Sequence, residues 1–174
     1  TGDERVIPAM LKFCRYLLDN LDNRPLKSWA KFRCADFIIS VHWLYDRTGE
    51  EWLLDLAEKV KSQGYDWHGH FVDFRYQRKQ RNIDLETHVV NNAMGIKTPG
   101  VWYRQSGEPG DREAVHIGLE NLDKFHGQVT GVFTGDEHLS GKNPSQGTEL
   151  CAVVEYMFSL EQLISIMADS VLAD

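Results

Sequence analysis

One short mark recurs between helical patterns, and that recurrence limits the fold more than any other feature of the chain. Thr1-Gly2-Asp3-Glu4 opens the sequence, Arg47-Thr48-Gly49-Glu50 repeats the mark, and Gln105-Ser106-Gly107-Glu108 repeats it again. Met167-Ala168-Asp169 reads as a degraded copy that has lost its glycine. Glycine in such a place takes the left-handed conformation that stops a helix. The acid beyond it suits the positive end of the next helix dipole. The glycines at 2, 49 and 107 recur at about the length of one helical hairpin, the period of stacked helix pairs.

The helices between the marks are of two kinds. Those near 4–22, 51–63 and 111–126 are amphipathic, with Ile7, Met10, Leu11, Cys14, Leu18 and Leu21 setting the pattern in the first. They read as outer helices with one wet face. The stretches around 37–45, 89–96 and 152–158 are apolar nearly all round and read as covered inner helices. Pro99-Gly100 should kink or end the second of these. Alternating wet and covered helices are what two concentric rings require, so the expected fold is all-α, an α/α toroid. Polar residues on inner helices then face a cavity: Asp36, His42, His88, Asn91, Asn92, Glu149 and Glu155. Residues 65–84 and 127–147 break the pattern and read as long loops, which in compact domains are often functional. The first carries the basic run Arg75, Arg78, Lys79 and Arg81.

Composition narrows the partners. A formal net charge of -7 argues against nucleic acid, which needs a basic face. No apolar run is expected to span a membrane. Cys14, Cys34 and Cys151 lie far apart, so each is a buried thiol or a ligand rather than part of a disulfide framework.

A few constellations can carry chemistry. Glu149 and Cys151 sit two residues apart where a loop meets a helix, and both can reach one zinc ion. The alternative is a core cysteine beside an acid favoured by the helix dipole. In Gly135-Asp136-Glu137-His138, a loop carboxyl can supply the proton that glycoside hydrolysis needs, or simply solvate a turn. His88 begins an inner helix, where it can bond a substrate hydroxyl or satisfy a neighbouring carbonyl. His68 and His70 suggest metal at first sight, but a loop pair of this kind is expected to be exposed.

In their order, the hairpin marks, Thr87-His88-Val89-Val90-Asn91-Asn92-Ala93-Met94, and Gly135-Asp136-Glu137-His138 followed by Gly147-Thr148-Glu149-Leu150-Cys151-Ala152 resemble the β-L-arabinofuranosidase family of glycoside hydrolases. The resemblance covers essentially the whole chain. It implies a six-hairpin α/α toroid, of which this chain is about half, followed by β-sandwich domains. It further implies a retaining exo-glycosidase acting on plant cell-wall or related glycans. Zinc is held there by one Glu and three Cys, one of which is also the nucleophile. By position, Glu149 and Cys151 match zinc ligands, Glu137 the general acid/base, and His88 a substrate-binding histidine. Asp36 stands where relatives place another cavity-facing His, which implies a different sugar. The other two cysteines are adjacent in the family and are expected downstream; Cys14 and Cys34 are not that pair. The chain is therefore read as one piece of a single catalytic domain, inactive alone. Two other readings compete: a non-catalytic helical-repeat scaffold, and another toroid enzyme such as a polysaccharide lyase.

Overall fold

A computed structural model describes residues 2–81 and 84–173, so Thr1 of the first mark lies outside the described residues. Among the described residues there are nine α-helices, a short 3-10 turn and two strands of two residues each. The all-α expectation holds. The chain divides after Tyr65 into two compact units.

The first unit contains α1 (Val6–Asn20), α2 (Ser28–Phe32), α3 (Cys34–Thr48) and α4 (Trp52–Gln63). α3 and α4 form an antiparallel pair, and α1 packs on both. The core is the facing stripes Ile38, Val41 and Leu44 of α3 and Leu53, Leu56 and Val60 of α4, each almost fully buried. Burying each such side chain contributes about 1.5–3 kcal/mol. Gly49 ends α3 at φ 67°, its N–H bonded to the Tyr45 carbonyl. Lys59 reaches from α4 to the Leu18 carbonyl and the Asp22 carboxylate, a cation at the negative end of α1. Cys34 packs so closely against Gly64 that a Cβ there would lie 2.5 Å from its sulfur. Burial pushes the Cys34 thiol up to about 11, and raises Cys14 also. Both behave as buried thiols, one of the two roles open to them in sequence.

The second unit contains α5 (Trp67–Val72), α6 (Val89–Gly95), α7 (Thr98–Ser106), α8 (Pro109–His126), β1 (Gly135–Asp136), β2 (His138–Leu139) and α9 (Leu150–Met167). α8 packs on α5 and α7, and α9 packs on α6 and α7. The break foreseen at Pro99-Gly100 occurs just before it: α6 stops at Gly95, and Pro99 lies in the first turn of α7. There its missing N–H costs nothing. α7 ends at Gly107, again left-handed at φ 66°. α9 ends at Ala168, left-handed at φ 50° with its N–H on the Ile164 carbonyl. The degraded fourth mark thus keeps the glycine geometry with an alanine in it.

Four sequence expectations need correction. Residues 67–72 are not irregular loop but helix α5, started by the Asp66 side chain accepting from the Gly69 N–H at 3.0 Å. Six residues are too few to display a 3.6-residue period, and the helix is held by tertiary burial of Trp67 and Phe71. His70 on it is buried rather than exposed. α9 is not covered on most sides: Leu150, Val154, Met157, Phe158 and Ile164 are exposed along one face. With 18 residues and a mean hydropathy of 1.5, α9 is also long and apolar enough to cross a membrane by length and composition, contrary to the sequence reading.

Candidate active site

The 127–149 segment departs from helical rules and builds the site. Gly135 to Leu139 form a minimal antiparallel hairpin in which Gly135 faces Leu139 and Asp136 faces His138, leaving Glu137 alone at its tip. Glu137 is left-handed at φ 65°. A non-glycine residue there carries backbone strain, which persists only where the surroundings fix it. Here the Glu137 carbonyl accepts the Val89 N–H at 2.9 Å and the Leu139 N–H bonds the Thr87 carbonyl at 3.0 Å. The hairpin therefore caps the start of α6 and satisfies the Val89 N–H, which would otherwise be orphaned. Gly135 lies so near Val89 that a Cβ would meet its side chain at 2.2 Å.

The far end of the segment returns to the same place. The Glu149 N–H bonds the Gly135 carbonyl at 3.0 Å, and the Gly135 N–H bonds the Gly147 carbonyl at 3.2 Å. This closure sets Glu149, at the N-cap of α9, beside the hairpin tip. His88, Glu137 and Glu149 converge, with their ligand-capable atoms all within 4.8 Å of one another.

The tautomer of His88 follows from its partners. Its Nδ1 accepts the Asn91 N–H at 3.3 Å, so the neutral ring carries its proton on Nε2. That nitrogen lies 3.4 Å from the Glu137 carboxylate. The His88 ring is mostly buried, whereas the Glu137 side chain is 70% exposed and able to reach an incoming oxygen. His138 stacks edge-on to His88, and Thr87 ties it down at 3.0 Å.

Behind the site stands a polar wall. Asn91 donates to the Leu85 carbonyl, and Asn92 donates to those of Glu86 and His88. The Asn92 amide oxygen then accepts from His70 Nε2 at 3.0 Å. Burial holds His70 neutral, with its pKa lowered to about 4. Sequence reading placed Asn91 and Asn92 among the cavity-facing groups, and the structure employs both in holding the 85–88 backbone.

One carboxylate oxygen of Glu149 is buried and accepts no hydrogen bond among the described residues. Such a group needs a cation or a proton. With an imidazole and a second carboxylate beside it, the donor set is acceptable to zinc. No cysteine belongs to this convergent group; Cys151 lies in the first turn of α9 with its side chain exposed. Asp36 lies in the first turn of α3, in the first unit.

Sequence reading separated Glu137, as acid, from Glu149, as ligand. Their proximity comes from the Gly135–Gly147 closure, a pairing across the loop that residue types alone do not announce. The signal available was the pair of glycines flanking the two acids.

The whole chain, residues 1–174, matches the family model described as beta-L-arabinofuranosidase, GH127 catalytic domain. No curated protein and no solved structure matches it.

Proposed function

The chain belongs to the GH127 β-L-arabinofuranosidase catalytic-domain family of glycoside hydrolases, and from that premise we propose that Glu137 is its general acid/base in a retaining exo-glycosidase reaction. The observation that carries the proposal is the convergence of His88, Glu137 and Glu149 within 4.8 Å. Neither a binding scaffold nor a lyase accounts for that convergence together with the family.

Glu137 protonates the departing glycosidic oxygen, then takes the proton from the water that completes hydrolysis. Its place at an exposed hairpin tip suits both acts. His88 Nε2 faces the Glu137 carboxylate, and its N–H is the group that turns to a sugar hydroxyl when substrate enters. Glu149 and Cys151 are the proposed zinc ligands, joined by the two adjacent cysteines that the family places farther along its chain. The unpartnered oxygen of Glu149 supports its half of that assignment. Zinc, when bound, stabilises cysteine as thiolate, the form that attacks an anomeric carbon. Asp36 is proposed to contact the sugar and to turn selectivity away from arabinofuranose. The hairpins are proposed to belong to one α/α toroid.

A second reading has its own observation. Retaining glycosidases place two carboxyl groups about 5–5.5 Å apart, and Glu137 and Glu149 oxygens stand within 4.8 Å. Glu149 would then be a carboxylate nucleophile rather than a ligand. Two measurements on the full-length protein test the acid and the ligand assignments. Glu137→Gln should lower kcat/KM for alkyl glycosides by roughly a thousandfold and for nitrophenyl glycosides far less, because departure of the latter needs no acid; equal losses in kcat/KM remove Glu137 from the role. Zinc at about one ion per chain, lost in Cys151→Ser, supports the ligand assignment; full zinc retention in that variant contradicts it.

A further inference from the structure

The loop that carries both glutamates also forms, at its crown, a separate cleft of about 470 Å³. Four cations line it, Arg78 and Lys79 from the 75–81 run, Lys124 from α8 and Lys142 from the loop crown, and no carboxylate is among its described lining residues. In a chain of net charge -7, that concentration of one sign is a departure from the average surface. A concave wall of one charge focuses its field on the space it encloses.

The cleft is also firmly built. His126 is fully buried, and burial lowers its pKa, favouring the neutral ring. Its Nδ1 accepts the Gly141 N–H at 2.8 Å, so Nε2 carries the proton and donates to the Tyr76 carbonyl. Thr134 donates its hydroxyl to the Gly141 carbonyl at 2.6 Å. Both sides of residue 141 are thus fixed by buried groups, with Gly141 left-handed at φ 78°. The 75–81 segment is pinned opposite, since the Gln80 N–H bonds the Leu139 carbonyl and Lys79 Nζ donates to the Gln146 amide oxygen at 2.6 Å. The Asn143 amide completes a lining able to bond sugar hydroxyls, while the Phe125 ring packs against Phe74 and under Lys124 Nζ and holds that cation at the wall.

We propose that this cleft is a subsite for an anionic saccharide, a uronate-type carboxylate sugar, bound beside the catalytic loop. The carboxylate pairs with cations drawn from Arg78, Lys79, Lys124 and Lys142, and the ring hydroxyls meet the Asn143 amide. The saccharide half of this assignment rests on the glycosidase reading; the anionic half rests on the cleft alone.

Calorimetric titration of the full-length protein with a trimer of galacturonic acid, its neutral galactose counterpart and inorganic sulfate tests this directly. The uronate trimer should bind at least roughly tenfold more tightly than the neutral trimer and lose that margin when salt is raised to about 0.3 M. The exposed pair Arg78→Gln/Lys142→Gln should weaken uronate binding by roughly tenfold and leave the neutral trimer unaffected. Equal binding of both trimers, an unchanged double variant, or sulfate binding as well as the uronate each overturns the proposal. Glu137→Gln keeps the two ideas apart, because it should bind the uronate trimer as the parent does whatever becomes of its turnover.

Discussion

The helical hairpins and the 127–149 loop of this chain obey different rules, and the contrast explains where structure ends and chemistry begins. In the hairpins, α3, α7 and α9 each stop where a left-handed residue lets them stop, and α3 and α4 bury the stripes their own period dictates. Gly49 and Gly107 are interchangeable parts of that scheme. In the loop, conformation is imposed from outside. Glu137 is left-handed without being glycine, its carbonyl held by the Val89 N–H, and Gly135 is required by a neighbour 2.2 Å from its missing Cβ rather than by its own φ. Local rules build a frame, and non-local closure places two glutamates and a histidine against it.

Acid should strike the loop's support before the frame, and this is the largest stability effect expected. His70 has an ordinary value of 6.5 and a folded value of about 4. Between these limits the unfolded chain takes up a proton that the folded chain refuses. Stability is therefore full above pH 6.5, falls as pH drops, and has lost about 3 kcal/mol by pH 4. Urea titrations across that range check this, and His70→Asn should flatten the curve. A curve as steep in the variant as in the parent contradicts the assignment.

Next in size is Gly135→Ala. Its Cβ cannot share space with Val89, so about 2 kcal/mol of stability should be lost. Turnover should fall with it, because the tip and the Glu149 bond both move. Substituting Gly107 by Ala, where nothing lies within 4 Å, tests the opposite cause. It should cost about 1 kcal/mol through backbone strain alone and leave turnover unchanged. Thermal melts with parallel assays separate the two; a loss of turnover in the Gly107 variant would erase the distinction drawn here.

The smallest effect has the opposite sign. Ala168 is left-handed in the position that glycine fills in the other hairpins. Ala168→Gly should raise stability by about 0.5–1 kcal/mol. A destabilised variant would mean that the fourth mark is not a helix stop of the same kind.

The same contrast decides what was legible in the sequence. The helices around 4–22, 51–63 and 111–126, the break near Pro99 and the fourth mark could be read because period, proline and left-handed caps are local properties. Helix α5 could not, since six residues show no period and burial of Trp67 and Phe71 decides it. The buried state of His70 was hidden for the same reason. The apolar face of α9 was read correctly as apolar and wrongly as covered, because hydrophobicity says what a face prefers and not what lies beside it. Glu137, Glu149 and His88 were each legible as chemistry-bearing residues. That His88 and Glu149 face one cavity was expected from the helix pattern; the approach of the Glu137 and Glu149 carboxylates to within 4.8 Å depends on backbone pairing between Gly135 and Gly147, which no local pattern announces.

The convergence of His88 with Glu137 is tested most directly by a double-mutant cycle on turnover. His88→Ala, Glu137→Gln and the pair should be assayed with one alkyl glycoside in the full-length protein. If the two side chains act as one unit, the double variant falls no more than about threefold below the worse single variant. Losses that simply multiply would mean that the two residues act at separate places.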